Sequence, residues 1–531
     1  LRETHRQWWH GFWRRGYVAT PWKTVERAWY QALYQQASIC RPGRLSPGLQ
    51  GNWIKENYPA WNADFHNNIN IQIVYWGQYT ANRLELGEPF YRLFWEALPQ
   101  AKRAAAGYFQ MRGARFPISM GRDGIETAGP LLLSTWIGAG GWLAEHFWWH
   151  YRFSGDCEFL ARYAYPLLKE CALFYEDYLQ EDPEGNLYVF PTVQMEINIG
   201  RIDGAGRNSS WDLPVVIRTF QMVLEAAAAL DVDAADRERW QDVLSRLPSV
   251  PANEEGVWME FDDKGGLWHQ WDWARFMAIF PMELVAADAG PDALRRQAQA
   301  TIEEYYRFRK NPDAVGGFSG AIQATALLRM GHVERGLRMA EFVCKSLSPS
   351  GFVTGHGAHY LQVDTPPGLT VFLNEMLLQS FDSSAGSTSS PQAGSGQGGV
   401  LRVFPAVPPG PEPIRFHSLR AQGGFLVSAE RRNNLTQYVI VQSLCGNRLR
   451  MHNPFVGEPD LGVQVKVYEL HAATRFDRVE DQGAMAPYLD HIYLPGQTIE
   501  FPTRKGQVYV ISKEIPWISN IPIVDDARGV S

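Results

Sequence analysis

The sequence predicts a mainly α-helical protein, an α/α toroid followed by a smaller all-β domain, and three observations carry that prediction. From about residue 130 to 380, apolar residues recur at helical spacing in successive segments separated by short turns. Between Asp382 and Gly399 the composition narrows to Ser, Gly, Ala, Thr, Pro and Gln, which cannot bury apolar area and reads as a flexible linker. Beyond it, short runs alternate between apolar and polar residues, the period of strands. At 531 residues the chain also exceeds what one small core needs, so more than one structural unit is expected.

The elements follow in order. Residues 1–40 read as a helical lead-in or linker, with a helix over Thr24 to Ser38, and a further early helix covers Ile71 to Leu86. Trp136 to Tyr151 should end before Ser154-Gly155-Asp156, and Glu158 to Leu179 before the turn Asp182-Pro183-Glu184-Gly185. Asp212 to Ala228, Ala234 to Leu244, Trp273 to Ala287 and Ala293 to Arg309 continue the series. Gly320 to Met330, Val333 to Leu347 and Leu369 to Ser380 complete it. Helix pairs in succession without a fixed-period repeat favour a closed toroid over a solenoid. The expected division is a helical domain over 41–385, a linker over 386–398 and a β-domain over 399–531. Strands are expected at Tyr438 to Gln442, Val463 to Tyr468 and Gln507 to Ile511.

Composition excludes several functional classes. The net charge of −7 gives no general attraction to nucleic acid or anionic membranes, and His10-Gly11-Phe12-Trp13-Arg14-Arg15 is too short to reverse it. No uninterrupted apolar run of 18 residues occurs, so no membrane span is expected. Five scattered cysteines fit reduced, buried thiols better than a disulfide framework. No cofactor or metal is expected: His356 and His359 lack partners at ligand spacing, and no phosphate-binding loop or nucleophile elbow stands in usable context. No signal-peptide pattern is visible and localisation stays open. The 20 Trp suit both large helical cores and proteins that stack indoles on sugars.

The densest chemistry lies in the sixteen residues from Trp61 to Trp76. Buried amides must be paired or cost roughly 1–3 kcal/mol each, so Asn68 and Asn70 are unusual in an apolar neighbourhood. If Asn68-Ile69-Asn70-Ile71 is extended, both carboxamides share one face. Two amides aimed at one space, flanked by Trp61 and Trp76, suit a sugar and its attacking water; a loop tied down by Asn pairs is the alternative.

Glycoside cleavage needs an acid for the leaving oxygen and, in the inverting route, a base for water on the opposite face. Glu196 stands between Met195 and Ile197, apolar neighbours that would raise a carboxyl pKa, as a general acid requires. Asp364 precedes the last toroid helix, and Pro366-Pro367 works against a simple capping role. A solvated loop glutamate and a helix-capping aspartate are the competing readings.

These segments together resemble glycoside hydrolase family 95, whose known members include inverting α-1,2-L-fucosidases and α-L-galactosidases. The similarity begins at Arg41-Pro42-Gly43 and Leu49-Gln50-Gly51-Asn52-Trp53, and is strongest at His66-Asn67-Asn68-Ile69-Asn70-Ile71-Gln72 with Tyr75-Trp76. It returns at Trp142-Leu143-Ala144-Glu145-His146, Phe153-Ser154-Gly155-Asp156, Glu375-Met376-Leu377-Leu378-Gln379-Ser380 and Phe404-Pro405-Ala406-Val407-Pro408, in the family's order. The resemblance implies an (α/α)6 barrel, with Glu196 as general acid, Asn68 and Asn70 as water-positioning amides and Asp364 as the activating carboxylate. It also matches His66 to a substrate-contacting histidine. About forty residues precede the first match, so no counterpart of the family's large N-terminal β-domain is expected within the sequence as given.

Departures concentrate where the family grips its sugar. Gln194-Met195 replace a Ser-Pro before the acid, and Gln270-Trp271-Asp272-Trp273-Ala274-Arg275 replace a histidine- and arginine-rich run. Met120-Gly121-Arg122-Asp123 likewise stand where the family carries a His-His-Asn stretch. The expectation is therefore an inverting, exo-acting α-glycosidase of glycans with an altered sugar pocket lined by His66, Trp61, Trp271, Asp272, Arg275 and His359. Two alternatives stay open: a glycoside phosphorylase with Arg122 and Arg275 around phosphate, and a non-catalytic glycan-binding protein.

Overall fold

Two kinds of helix alternate along the chain. Asn70–Thr80 and Thr365–Leu377 are buried at every position, and Ala139–Ser154, Asp212–Leu230 and Gly317–Arg329 at most. A helix apolar around its whole circumference has to be enclosed on all sides. Lys23–Ile39, Glu88–Ala104, Tyr165–Tyr178, Ala234–Arg246, Asp292–Phe308 and Val333–Ser346 bury one side and leave polar residues outside. An inner ring wrapped by an outer ring is the result, the expected α/α barrel. In this computed structural model the described residues are 1–54, 56–127, 133–193, 204–265, 272–348, 353–354, 361–381, 399–455, 462–470, 485–493 and 496–513.

The inner helices run parallel. Asn70 meets Asp364, Ile73 faces Gly368 and Gly77 faces Thr370, so these two helices advance together. Trp76 stacks near Trp142 and Tyr79 lies beside His146, while Gly138 abuts Asp212 and Gly141 abuts Thr219. Their N-termini therefore converge at one end of the ring. Asn374 helps to close it: its Oδ1 accepts from Trp29 Nε1 at 2.9 Å and its Nδ2 donates to the Gly77 carbonyl at 3.0 Å.

One inner segment departs from expectation. Trp273 to Ala287 is not a helix but a 3-10 turn over Asp272–Phe276 followed by turns. Residues 273–286 are all buried, so the uniform apolarity signalled enclosure, not helicity. Pro281 has no N–H to continue a helix, and Glu283 sits at φ 54, outside the right-handed region.

Other boundaries shift for local reasons. The helix expected over Ile71 to Leu86 stops at Thr80, and a 3-10 turn takes Leu84–Gly87. Glu158 to Leu179 begins at Cys157 and passes through a π-turn at Leu160–Ala164. The last inner helix starts at Thr365 and ends at Leu377, where strand Leu378–Phe381 takes over from the helix expected to reach Ser380. Glu88–Ala104 went unread because Pro89 and Pro99 interrupt its pattern, yet Pro89 lies in the first turn, where a missing N–H costs nothing. Asp212–Leu230 is long and apolar enough to cross a bilayer by length and composition, and here it packs into the inner ring.

The lead-in is more than a linker. Helix Arg2–Arg14 is followed by Tyr17–Ala19, which pairs antiparallel with Ile414–Ala421. A seven-stranded sheet then runs in the order 17–19, 414–421, 425–432, 435–443, 508–512, 463–470 and 485–493. A second sheet of four strands joins Leu378–Phe381 to Val400–Val403, Leu449–His452 and Thr498–Phe501. One apolar cluster reaches from Trp9 in the first helix to Ile511 in the sheet. The cysteines are all free; Cys40 and Cys171 are buried, as expected, whereas Cys157 is exposed.

Candidate active site

Asp364 occupies the N-cap position of Thr365–Leu377, yet its side chain makes no capping hydrogen bond there. The next two turn positions that would donate, residues 366 and 367, are prolines without N–H groups. The carboxylate turns instead to the neighbouring helix, where Asn70 Nδ2 donates to Asp364 Oδ2 at 2.6 Å. Thr365 Oγ1 adds a second hydrogen bond, to Oδ1, at 3.2 Å. Burial raises the Asp364 pKa above the ordinary carboxylate value, and the hydrogen bonds from Asn70 and Thr365 oppose that rise. The inner-helix N-termini meeting at this end also favour negative charge.

Asn70 is the first residue of its helix, so the extended arrangement expected for Asn68-Ile69-Asn70-Ile71 does not occur. Residues 67–69 form a turn, with Ile69 at φ 156 and ψ −44, and the helix begins at once. Asn70 reaches Asp364 because it starts a helix. Asn68 is buried in the preceding turn, 2% exposed.

Asp64, His66, Asn70 and Asp364 line one small recess, walled also by Leu49, Phe65, Ile71, Val74 and Val363. His66 lies on the short strand Phe65–His66, paired with Ser119–Met120. Its Nδ1 stands 2.6 Å from Asp64 Oδ1, and Thr127 Oγ1 donates to Asp64 Oδ2. Gly48 borders the recess so closely that a Cβ there would lie 2.2 Å from the Ala63 carbonyl oxygen. Trp61, Asn62 and Ala63 turn the chain at φ 50, 56 and 53, a left-handed stretch that costs about 1–2 kcal/mol per residue. Trp61 is 36% exposed on this turn and is not part of the recess wall.

Asp64 went unassigned in the sequence, although a signal was present. Residues i and i+2 of an extended segment share a face, so Asp64-Phe65-His66 sets a carboxylate beside an imidazole.

Other expected site residues fall elsewhere. Glu196, Trp271 and His359 lie outside the described residues, and Asp272 is placed by its backbone only. Arg275 is buried, 2% exposed, with its guanidinium 2.7 Å from Glu304 on an outer helix and away from the recess. The strand leading toward Glu196, Thr192–Val193, pairs with Ala205–Gly206. Thr192 Oγ1 hydrogen-bonds Asp212 Oδ2, and Trp136 Nε1 donates to Asp212 Oδ1 at 2.6 Å. Asp212 opens an inner helix, so this strand is tied to the ring end where Asn70 and Asp364 meet. Full burial lifts the Asp212 pKa to about 7 despite those hydrogen bonds. Among the described residues, no group of three or more His, Cys, Asp or Glu is arranged to hold a metal ion.

Comparison with known proteins gives consistent matches. The glycosyl hydrolase family 95 catalytic domain matches residues 25–377. Alpha-L-fucosidase 2 of Arabidopsis thaliana is 25% identical over 443 residues, 78% of this chain and 49% of that protein. An Aspergillus niger protein described as a probable alpha-fucosidase A is 31% identical over 169 residues, 30% of this chain and 21% of that one. The chain thus spans half or less of the length of these relatives. Among solved structures, one from the human microbiome described as a kojibiose phosphorylase superposes with a TM-score of 0.60. It covers 94% of this chain and 69% of its own at 10% identity, a likeness of fold alone.

Proposed function

The chain belongs to glycosyl hydrolase family 95, and from that premise we propose that it is an inverting, exo-acting hydrolase of α-linked sugars on glycans. The supporting observation is the 2.6 Å bond from Asn70 to Asp364, made between two parallel inner helices at the edge of the recess. An ionised carboxylate can only accept, so the amide N–H faces Asp364 and its carbonyl oxygen is left for a water proton. Donation to a carboxylate makes that carbonyl a better acceptor. In this scheme Asp364, through Asn70 and Asn68, orients and deprotonates the attacking water. Glu196 protonates the glycosidic oxygen from the opposite face of the sugar. An inverting site then needs its two carboxyls roughly 6.5–9.5 Å apart. An α-L-fucoside is the substrate the names of the two relatives favour and an α-L-galactoside-like sugar the other that the family resemblance implies, with the altered 270–275 run left to adjust the choice.

Glu196→Gln and Asp364→Asn should each lower turnover of an aryl α-glycoside by roughly 10²- to 10⁴-fold, with folding intact by circular dichroism. The β-anomer should appear first in the NMR spectrum of the product. Near-normal rates in Asp364→Asn, or retained anomeric configuration, would remove this mechanism. A phosphorylase draws less support, because Arg275, one of two cations expected around phosphate, is ion-paired with Glu304.

A further inference from the structure

Between Gly48 and Asp64 the chain leaves the recess and comes back to it. Both ends belong to the recess wall, and they are joined where the Leu49 N–H donates to the Asp64 carbonyl at 3.1 Å. The Leu49 carbonyl accepts in turn from the Val363 N–H at 3.3 Å, which ties the loop beside Asp364. Within the loop, Gln50 Nε2 donates to the Ala60 carbonyl at 3.1 Å. A closed surface loop of this kind packs mainly on its own side chains. Here the largest ones face solvent instead: Trp53 is 38% exposed, Tyr58 93% and Trp61 36%. Among the described residues, no other stretch of nine residues exposes two large aromatic rings, so the density of exposed rings is particular to this loop. Gly51, at φ +63, passes so close to the first ring that an added Cβ would stand 3.2 Å from Trp53 Cε3 and 3.0 Å from Val363 Cγ1. Val363 is part of the recess wall, so the indole stands at the recess edge.

We propose that Trp53 and Tyr58 form a leaving-side subsite that binds the sugar next to the one cleaved, so that the preferred substrate is an oligosaccharide and not a small glycoside. This deepens the hydrolase reading and rests on it. In exo-acting cleavage only the terminal sugar reaches Asn70 and Asp364, and the rest of the glycan passes over the recess edge. The chemistry of the loop suits that occupant. Each ring has an exposed carboxamide beside it in sequence, in Asn52-Trp53, Asn57-Tyr58 and Trp61-Asn62. A pyranose offers apolar C–H faces edged by hydroxyls. Aromatic rings cover the faces, and amides, which both donate and accept, serve the hydroxyls. An acyl chain or an apolar protein surface would leave those amides without a task. Contacts to a part of the substrate that does not react raise kcat/KM for the glycans that make them.

Two kinds of substrate separate this contact from the chemistry. One is an α-L-fucosyl or α-L-galactosyl fluoride, whose leaving group is a single atom; the other is the same sugar carried on lactose. The readout is the ratio of kcat/KM on the lactose glycoside to kcat/KM on the fluoride, measured with the full chain. Trp53→Ala and Tyr58→Ala should each lower that ratio roughly tenfold, about the effect of uncovering one large apolar side chain. Trp53→Phe, which keeps a ring, should recover part of the loss. Tyr58 is almost wholly exposed, so its variant folds even where Trp53→Ala does not. An unchanged ratio in either folded variant, whether both rates fall together or neither falls, would overturn the proposal. Should wild type hydrolyse neither substrate, the hydrolase reading fails, and lactose alone then decides the subsite. Saturation-transfer NMR should show lactose C–H protons in contact with wild type and less so with Tyr58→Ala. Equal transfer in the two proteins, or none in wild type, would reject the subsite.

Discussion

At the scale of single residues, the chain places carboxylates where their surroundings assign them different tasks. Asp364 makes no capping hydrogen bond, residues 366 and 367 being prolines, and it accepts from Asn70 instead. Asp212 does a structural job at the head of its helix, accepting from Trp136 and Thr192. Its folded-state pKa of about 7 lies above the ordinary aspartate value of 3.8. The folded chain thus holds this proton more tightly than the unfolded chain. That contribution is fully present below pH about 4 and is lost as pH rises through about 7, on the order of 4 kcal/mol in all. In Asp212→Asn, Oδ1 can still accept from Trp136 and Nδ2 can donate to Thr192. Denaturant titrations at pH 4 and pH 8 should show wild type losing stability over this interval, with that loss much reduced in the variant. Much of this scale was legible in the sequence. Asn70, Asp364 and His66 stood out by residue type in apolar company, and they do share one recess. Arg275 did not behave as expected from its place in the chain, because Glu304 comes from a helix that local spacing cannot foresee.

At the scale of elements, close packing between inner helices depends on small residues. A Cβ on Gly77 would lie 2.7 Å from both Cβ and Cγ2 of Thr370, atoms rooted at the backbone that cannot swing aside. Glycine in a helix interior costs up to about 1 kcal/mol relative to alanine, so propensity alone would favour the substitution. Overlap should win: Gly77→Ala is expected to destabilise by about 1–3 kcal/mol and to lower Tm in a thermal scan. Because the same helices carry Asn70 and Asp364, separation here would also lengthen the bond between those two. Elements with one buried stripe were read correctly from their period, as in Asp292–Phe308 and Val333–Ser346. The uniformly apolar run over Trp273 to Ala287 was not, since burial on all sides erases the periodic signal that distinguishes a helix from packed turns.

Across the whole molecule, a buried ionic network links inner helices to one another and to the irregular stretch. Arg329 Nε and Nη2 donate to Glu375 at 2.9 and 3.0 Å, and Nη2 also meets Glu283 at 3.1 Å. Arg218, on another inner helix, approaches Glu283 at 3.4 Å. Three ring segments and the irregular stretch are thereby joined through one guanidinium pair. Arg329→Met should leave two buried carboxylates short of a partner and cost about 3–5 kcal/mol by chemical denaturation. Restoring part of that loss in the double variant Arg329→Met/Glu375→Leu would locate the cost in the unpaired charge.

The chain by itself determined most of its helices, its alternating strands and several residues able to do chemistry, because these are written in local periodicity and in polar side chains set among apolar ones. Only the tertiary structure decided that Asn70 would meet Asp364 across 294 positions of sequence, that Asp64 would hold His66, and that residues 17–19 would complete a sheet begun almost four hundred residues later. Those pairings follow from which helices lie side by side in a closed ring and which strand edge is left open, and neither is a property of any short stretch of chain.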